Sequence, residues 1–307
     1  MKAVVIAGPT GAGKSQLAIR LAEALSGEIV NYDSVQIYRG FDIGSAKPSI
    51  VERGRIPHHL FDIVDADQEF NAADYASRAR DVLGAIVSRG NLPILVGGTF
   101  FYLRALLSGL PEMPGRDPEV RRRLRAISNQ PRGSTHLHAL LSRVDRVSAA
   151  KIPPADRHRV ERALEVWIAS GSPISAWKAP ASDSPSDIDA LRIGLTLERA
   201  EIIRRLDARV EEMYRAGLVD ETRELLSRYP RSSRPFGAIG YREAAAVVSG
   251  ELAVAEAIAE TKRRTRGYSK RQMTWLRSDR NVQWISGADA EDSFRAAMRL
   301  VERFQLD

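Results

Sequence analysis

"GPTGAGKS", residues 8–15, decides the fold. It fits the pattern G-x-x-x-x-G-K-[ST]. Glycines there let backbone N–H groups turn inward onto phosphate oxygens, the lysine neutralises charge, and the hydroxyl offers itself to Mg²⁺. Ahead of it "KAVVIA", residues 2–7, is a short apolar run of strand length. Behind it "SQLAIRLAEALSG", residues 15–27, has helical spacing and closes at Gly27. Strand, loop and helix are the setting such a loop requires. The candidate phosphate ligands are Gly8, Pro9, Thr10, Gly11, Ala12, Gly13, Lys14 and Ser15, with Ser15 also the candidate Mg²⁺ ligand. Thr10 reads either as a solvated loop residue or as a hydroxyl within reach of a bridging phosphate oxygen. The loop specifies a polyphosphate; it does not say which one, or whether a phosphoryl group moves.

Working outward, "EIVNY" (28–32), "LPILV" (92–96), "LRIGLTL" (191–197) and "NVQWI" (281–285) are further strand candidates. Residues 72–89 and "FFYLRALLSG", 100–109, are helical between them. Strands alternating with helices predict a parallel sheet with helices on both faces, a P-loop NTPase-like α/β fold. From Pro111 to about Ser186 no strand pattern occurs. Helical stretches near 118–128, 134–142, 145–151 and 156–169 are followed by the Ser/Pro-rich loop "SGSPISAWKAPASDSPSD", 170–187. The domain reading is an α/β core over 1–112 and 188–307 with an all-helical insert over 113–187. Beyond the insert, Ile202, Leu206, Val210, Met213 and Leu218 make 198–216 an amphipathic helix. Residues 220–228, 241–249 and 251–276 are also expected to be helical, and Phe294, Met298 and Val301 line a last helix.

At 307 residues with 44% apolar content, the chain suffices for about two domains and a sizeable core. The absence of cysteine excludes disulfides, thiolate zinc sites and a cysteine nucleophile. The five histidines, among them His58, His59, His136 and His138, lack metal-ligand spacing. The apolar start reads as a buried first strand rather than a signal peptide, and no run approaches the roughly 18 residues of a membrane span, so a cytoplasmic protein is expected. No exposed heptad demands a dimer, so a monomer is expected.

Asp33 follows the second strand candidate, so it should reach the crevice of the phosphate loop, since ligands bind at the carboxyl ends of parallel strands. It reads as a helix N-cap, a Mg²⁺ ligand or a base near the phosphates, and a hydroxyl-phosphorylating kinase would place an aspartate similarly. "VGGT", 96–99, repeats the geometry at the third strand end, with Thr99 either a cap or a hydroxyl aimed at the site. The net charge of +7 matters only where it is clustered. "KRRTRGYSKRQMTWLR", 262–277, holds seven cations and no acid, with Tyr268 and Trp275 interleaved. The run reads as a solvated helix face or as a polyanion track, the aromatics as core or as base-stacking platforms. Arg121, Arg122, Arg123, Arg125, Arg157, His158, Arg159 and Arg162 add clusters in the insert. Separate clusters favour a large polyanion, and RNA over duplex DNA, because no helix-turn-helix or zinc-finger spacing is present.

"GPTGAGKS", "DSVQIYRGFDIGSAKP", "PHHLFDI", "LVGGTFFYLRALLSGL", "RVERALEV", "AIGYRE" and "YSKRQMTWLR" occur in the order found in the tRNA dimethylallyltransferase (tRNA isopentenyltransferase) family, which the chain resembles over nearly its whole length. "DSVQIYRGFDIGSAKP" is the more specific match, since unrelated NTPases have no reason to carry it. The resemblance implies transfer of a dimethylallyl group from dimethylallyl diphosphate to the exocyclic amine of adenosine 37, beside the anticodon of tRNA. The loop would then cradle a diphosphate leaving group. On this resemblance Asp33 takes the proton of the adenine amine, Thr10 and Lys14 contact the departing diphosphate with Ser15 near Mg²⁺, and Arg209 contacts the same diphosphate. Asp33, Ser34, Val35, Gln36, Thr99, Arg121, His158, Arg159, Val160, Glu161, Arg162, Gly237, Ala238, Ile239, Gly240, Tyr241 and Arg242 match tRNA-contact positions.

Two residues depart from the family pattern. Phe100 stands where glycine is frequent, which implies an altered allyl channel, and Gly237 lacks the usual polar side chain. The alternatives are a related enzyme that prenylates free adenine nucleotides, a P-loop small-molecule kinase, and a non-enzymatic RNA-binding NTPase.

Overall fold

The computed structural model describes residues 1–177 and 187–306. β1 (Lys2–Ala7) leads through the phosphate loop into α1 (Lys14–Ala24), followed by β2 (Gly27–Asn31), α2 (Ile50–Arg55), β3 (His58–His59), α3 (Ala72–Ser88), β4 (Leu92–Val96) and α4 (Phe100–Ser108). Four helices come next: α5 (Pro118–Ser128), α6 (Gly133–Val144), α7 (Arg146–Lys151) and α8 (Arg157–Ser170). The chain then forms β5 (Asp189–Thr196), α9 (Arg199–Arg215), α10 (Leu218–Arg228), α11 (Tyr241–Val248), α12 (Val254–Ser278), β6 (Val282–Ser286) and α13 (Ala290–Leu306).

The six strands form one sheet in the order β3-β2-β4-β1-β5-β6, with every pairing parallel. Their continuous apolar runs follow from burial on both faces: β2 and β4 are buried at every position. Val4, Ile6, Ile29, Ile94 and Ile193 of the sheet pack with Leu17 and Leu21 of α1 and with Ala297 and Val301 of α13. The register sets Val4 beside Ile94 and Leu191, so the carboxyl ends of β1, β2 and β4 open on the same edge.

Contacts divide the chain into two units, Met1–Leu107 with Ser186–Asp307, and Ser108–Pro185. Within the second unit, the described residues form α5 to α8 and one 3-10 turn, with Leu124, Leu137, Leu141, Val160 and Leu164 as its core. Asp117 and Asp156 cap α5 and α8 through their side chains, which is why these helices start where they do. Of the expected loop 170–187, residues 178–186 lie outside the described residues.

The two-residue strand β3 is not visible as a pattern in the sequence, because a strand that short has no periodicity. It is held from below by Glu28, whose side chain is 3% exposed. Glu28 accepts from Arg89 Nη2 at 2.8 Å and Asn91 Nδ2 at 2.7 Å, and His59 Nε2 lies 2.6 Å from its Oε2. Burial opposes ionisation of Glu28, but these hydrogen bonds outweigh it and hold the carboxyl down to about 2. Because the folded value lies below the unfolded one, the stabilisation is present above about pH 4.5 and is lost as pH falls toward 2. Glu28→Ala is expected to cost about 2 kcal/mol in urea unfolding at pH 7, the scale of lost charge-assisted hydrogen bonds. The difference from wild type should shrink as the pH is lowered through that window; an unchanged difference at pH 2.5 counts against this role.

Among the described residues no helix is long and apolar enough to cross a membrane.

Candidate active site

The carboxyl ends of β1, β2 and β4 border a cavity of about 610 Å³ in the first unit. Thr10, Lys14 and Ser15 come from the phosphate loop, Asp33 to Gln36 from the turn after β2, Gly97 to Thr99 from the turn after β4, and Leu206, Arg209, Val210 and Met213 from α9. Gly237, Ala238 and Ile239 add a further rim, and Tyr268 and Arg271 of α12 complete it.

The phosphate loop is shaped as an anion cradle. Gly13 caps α1 in the left-handed region at φ 88°, a conformation that a side chain would strain. Among the described residues the N–H groups of Gly13, Lys14 and Ser15 have no partner, so they are available at the positive end of α1. Lys14 Nζ donates to Pro9 O at 3.0 Å. Burial pulls Lys14 down to about 7, the neighbouring Arg209 acts in the same direction, and Asp33 opposes both. Burial likewise lowers Arg209 against the pull of Asp33. Two cations thus share the cavity, and among the described residues neither has a carboxylate in salt-bridge contact. An arrangement that repels itself when empty gains most from an incoming polyanion.

Asp33 caps a turn and not a helix, since the next helix begins only at Ile50. Its Oδ1 accepts from Val35 N at 2.8 Å and from Gln36 N at 3.4 Å, which closes the turn after β2. Among the described residues its Oδ2 accepts no hydrogen bond and lies beside Gly98, where a Cβ would come within 2.9 Å of it. One oxygen therefore builds the turn and the other is left for a ligand. Thr99 Oγ1 accepts from Ser34 N at 2.9 Å and donates to Ser34 Oγ at 3.0 Å, which joins the two turns.

The "DIGSAKP" segment forms the opposite wall. Gln36 Nε2 donates to Ser45 O at 3.0 Å and Ala46 O at 3.1 Å, so this amide is engaged within the protein. Lys47 is buried on Tyr38 O and Asp62, and the N–H groups of Ile43 and Gly44 rest on Glu221 and on the Tyr241 hydroxyl. His58 also lines the cavity, its Nδ1 2.9 Å from Ile56 O.

The other candidates differ in how far they are exposed and engaged. Tyr241 is fully buried, donates to Glu221 Oε1 at 2.6 Å and packs against Phe41, so its side chain braces the wall. Gly240 is buried beside it, with its N–H on Glu243, while Gly237 and Arg242 are exposed. In the second unit Val160 is core, whereas His158 and Arg159 are exposed and Glu161 is half-buried. Arg121 and Arg162 both bind the buried Glu165, Nε at 2.9 Å and Nη1 at 2.8 Å, so their charge is partly spent on structure. Phe100 does not line the cavity and so does not reshape it directly. It stacks on Trp275 at 4.6 Å with the rings 4° apart, tying α4 to α12. Trp275 is thereby engaged in packing, while Tyr268 faces the cavity.

The seven cations of 262–277 are not unopposed. Lys262 pairs with Glu211, Arg263 with Glu260, Arg264 with Glu243 and Arg266 with Asp207. The acids come from other helices or from the preceding turn of α12, so the segment alone does not reveal them. Lys270, Arg271 and Arg277 have no salt bridge among the described residues. Gln272 is the residue that the sequence reading does not single out, its one signal being a polar residue on a buried helix face. Met213, read as part of an apolar stripe, and Arg264, read as part of the basic run, also line the cavity.

The family model described as IPP transferase matches residues 36–279. The chain belongs to the IPP transferase family. It is 47% identical over 283 residues to a tRNA dimethylallyltransferase of Koribacter versatilis, covering 92% of each chain. It is 46% identical over 306 residues to one of Solibacter usitatus, covering 99% of each. Among solved structures, a full-length tRNA isopentenylpyrophosphate transferase of Bacillus halodurans aligns over 99% of this chain and 98% of its own at TM-score 0.71 and 37% identity. A eukaryotic dimethylallyltransferase described as acting on tRNA aligns over 99% of this chain and 79% of its own, at TM-score 0.78 and 28% identity. These relatives agree with the family resemblance of the motifs.

Proposed function

We propose that this IPP transferase moves a dimethylallyl group from dimethylallyl diphosphate to the exocyclic amine of adenosine 37 in tRNA and releases diphosphate. The observation that carries the reading is one cavity lined by Lys14, Arg209 and Asp33, in which, among the described residues, neither cation has a carboxylate in salt-bridge contact and Asp33 Oδ2 accepts no hydrogen bond. An aromatic amine is a weak nucleophile, so much of the barrier lies in breaking the carbon–oxygen bond. That bond's electron pair leaves with the diphosphate, while the amine nitrogen bonds to the allylic carbon and its proton passes to Asp33 Oδ2. Lys14, Arg209 and the loop N–H groups face the growing negative charge, where one such donor is worth about 3 kcal/mol. Leu206, Val210, Met213 and Ile239 offer apolar wall to the allyl group. The adenine must leave its stack, at a cost of a few kcal/mol that is lower in a loop than in a duplex.

Mg²⁺ fits this donor set as an ion carried by the diphosphate. The exposed Ser15 hydroxyl would hold it together with diphosphate oxygens and water, the usual habit of an ion that keeps much of its hydration. When bound it would neutralise leaving-group charge.

The partner in this reading is the anticodon stem-loop, with the exposed Lys270 and the cavity-lining Arg271 of α12 as its candidate contacts in the first unit; in the second unit, taken by itself, His158 and Arg159 are exposed. The protein acts as a cytoplasmic monomer. Replacing Lys270 and Arg271 together by alanine is expected to weaken tRNA binding and to flatten its log–log salt dependence by about 1.5, the share of two phosphate contacts. An unchanged slope would remove α12 from the interface.

Labelled dimethylallyl diphosphate offered with Mg²⁺ and unmodified tRNA, or with AMP, ADP or ATP, tests the assignment. Label in tRNA alone is the expected result. Label in free nucleotide alone would instead indicate a nucleotide prenyltransferase, and ADP release from ATP a kinase.

A further inference from the structure

Gln272 lies on α12, inside the segment whose composition points to polyanion binding, yet it is 2% exposed and reaches the phosphate loop. Its Oε1 accepts from Thr10 N at 2.9 Å and from Thr10 Oγ1 at 3.1 Å, and its Nε2 donates to Gly98 O at 3.1 Å. One turn earlier, the Tyr268 hydroxyl donates to the same Gly98 O at 2.8 Å. Gly98 in turn abuts Asp33: a Cβ on it would stand 2.9 Å from Asp33 Oδ2 and 3.0 Å from Gln272 Nε2. A single buried amide therefore bridges the diphosphate cradle and the turn that shelters the proton-accepting oxygen.

We propose that Gln272 is a positioning residue that sets the spacing between the leaving-group site at Thr10 and the acceptor site at Asp33. The inference rests on the function proposed above. Both hydrogen-bonding ends of the amide are in use, so its orientation is determined: an amide oxygen only accepts, and an amide nitrogen only donates. The Thr10 N–H is thereby spent on Gln272, which leaves the anion to the N–H groups further along the loop. The Thr10 hydroxyl proton also points at Gln272. It can swing to a diphosphate oxygen without orphaning Oε1, because the Thr10 N–H remains on it. Transfer between two bound reactants is sensitive to such spacing, since a displacement of about 1 Å can cost roughly 10²-fold in rate.

The test is single-turnover transfer to tRNA at saturating substrates, alongside the affinity for inorganic diphosphate and the thermal midpoint. Gln272→Met, close in volume and without polar ends, is expected to lower the rate about 10²-fold while diphosphate affinity stays within about threefold. Gln272→Glu keeps an acceptor for Thr10 but loses the donor to Gly98, and is expected to lower the rate at least about tenfold. Tyr268→Phe should cost less than either, because Gly98 O retains the Gln272 donor. A folded Gln272 variant that transfers within about threefold of wild type overturns the proposal, as does a loss lying wholly in diphosphate or tRNA affinity. Should Gln272→Met fail to fold, Gln272→Glu alone is read against the same threshold. An inactive wild-type protein would count against the assigned reaction, while an active wild type with indifferent variants would count only against Gln272.

Discussion

Asp33→Asn leaves the protein folded and lowers the rate of prenyl transfer by about 10²–10⁴-fold, the contribution of a positioned general base. The substitution is unusually clean because the two oxygens of Asp33 do different things. Asparagine keeps an oxygen where Oδ1 accepts from Val35 N and Gln36 N, so the turn after β2 survives. At the other position it presents an amide, which donates, where the reaction needs an acceptor for the amine proton. A thermal midpoint unchanged within about 2 °C, together with the loss in single-turnover rate, is the expected pair of results. Transfer by the variant within tenfold of wild type would remove Asp33 from the chemistry and leave it a turn-forming residue.

Lys14→Ala is expected to lower transfer by about 10²–10³-fold, the loss of one donor facing developing negative charge. The same residue makes diphosphate binding depend on pH, with a defined sign. In the free protein burial holds Lys14 to about 7, so above that pH the amine is mostly neutral. A bound diphosphate favours the ammonium and raises the value again. Binding above pH 7 therefore takes up a proton, and affinity falls as pH rises, by up to about tenfold per pH unit until the bound-state value is passed. Calorimetry of inorganic diphosphate at pH 8, in two buffers of different ionisation enthalpy, measures the uptake directly. Lys14→Ala should abolish it; an equal uptake by the variant would place the proton elsewhere.

The parts of the site that were legible from the residues share one property: their geometry is local. The phosphate loop works through consecutive backbone groups, so eight residues specify it. Asp33 and Thr99 follow buried strands, and in a parallel sheet all such ends open on one edge. Helices such as α5 and α9 were legible because caps and apolar spacing are written in neighbouring residues. The strand β3, by contrast, exists only through its pairing with β2 and its anchor on Glu28.

The errors arose where a side chain's partner is distant along the chain. A run of seven cations looks unopposed until Glu211, Glu243 and Asp207 arrive from other elements to pair with three of them. Tyr241 looks like a contact residue until its hydroxyl is found on Glu221. Phe100 reads as altering the allyl channel until it is found stacked on Trp275. By itself the sequence determined the parallel α/β class, the anion cradle and the family, because apolar patterning, loop conformation and helix capping depend on residues close together in the chain. Only the tertiary structure decided which charges remain available to a ligand and which amide joins Thr10 to Gly98. Ion pairing and burial depend on which segments folding brings together, here residues 262 positions apart.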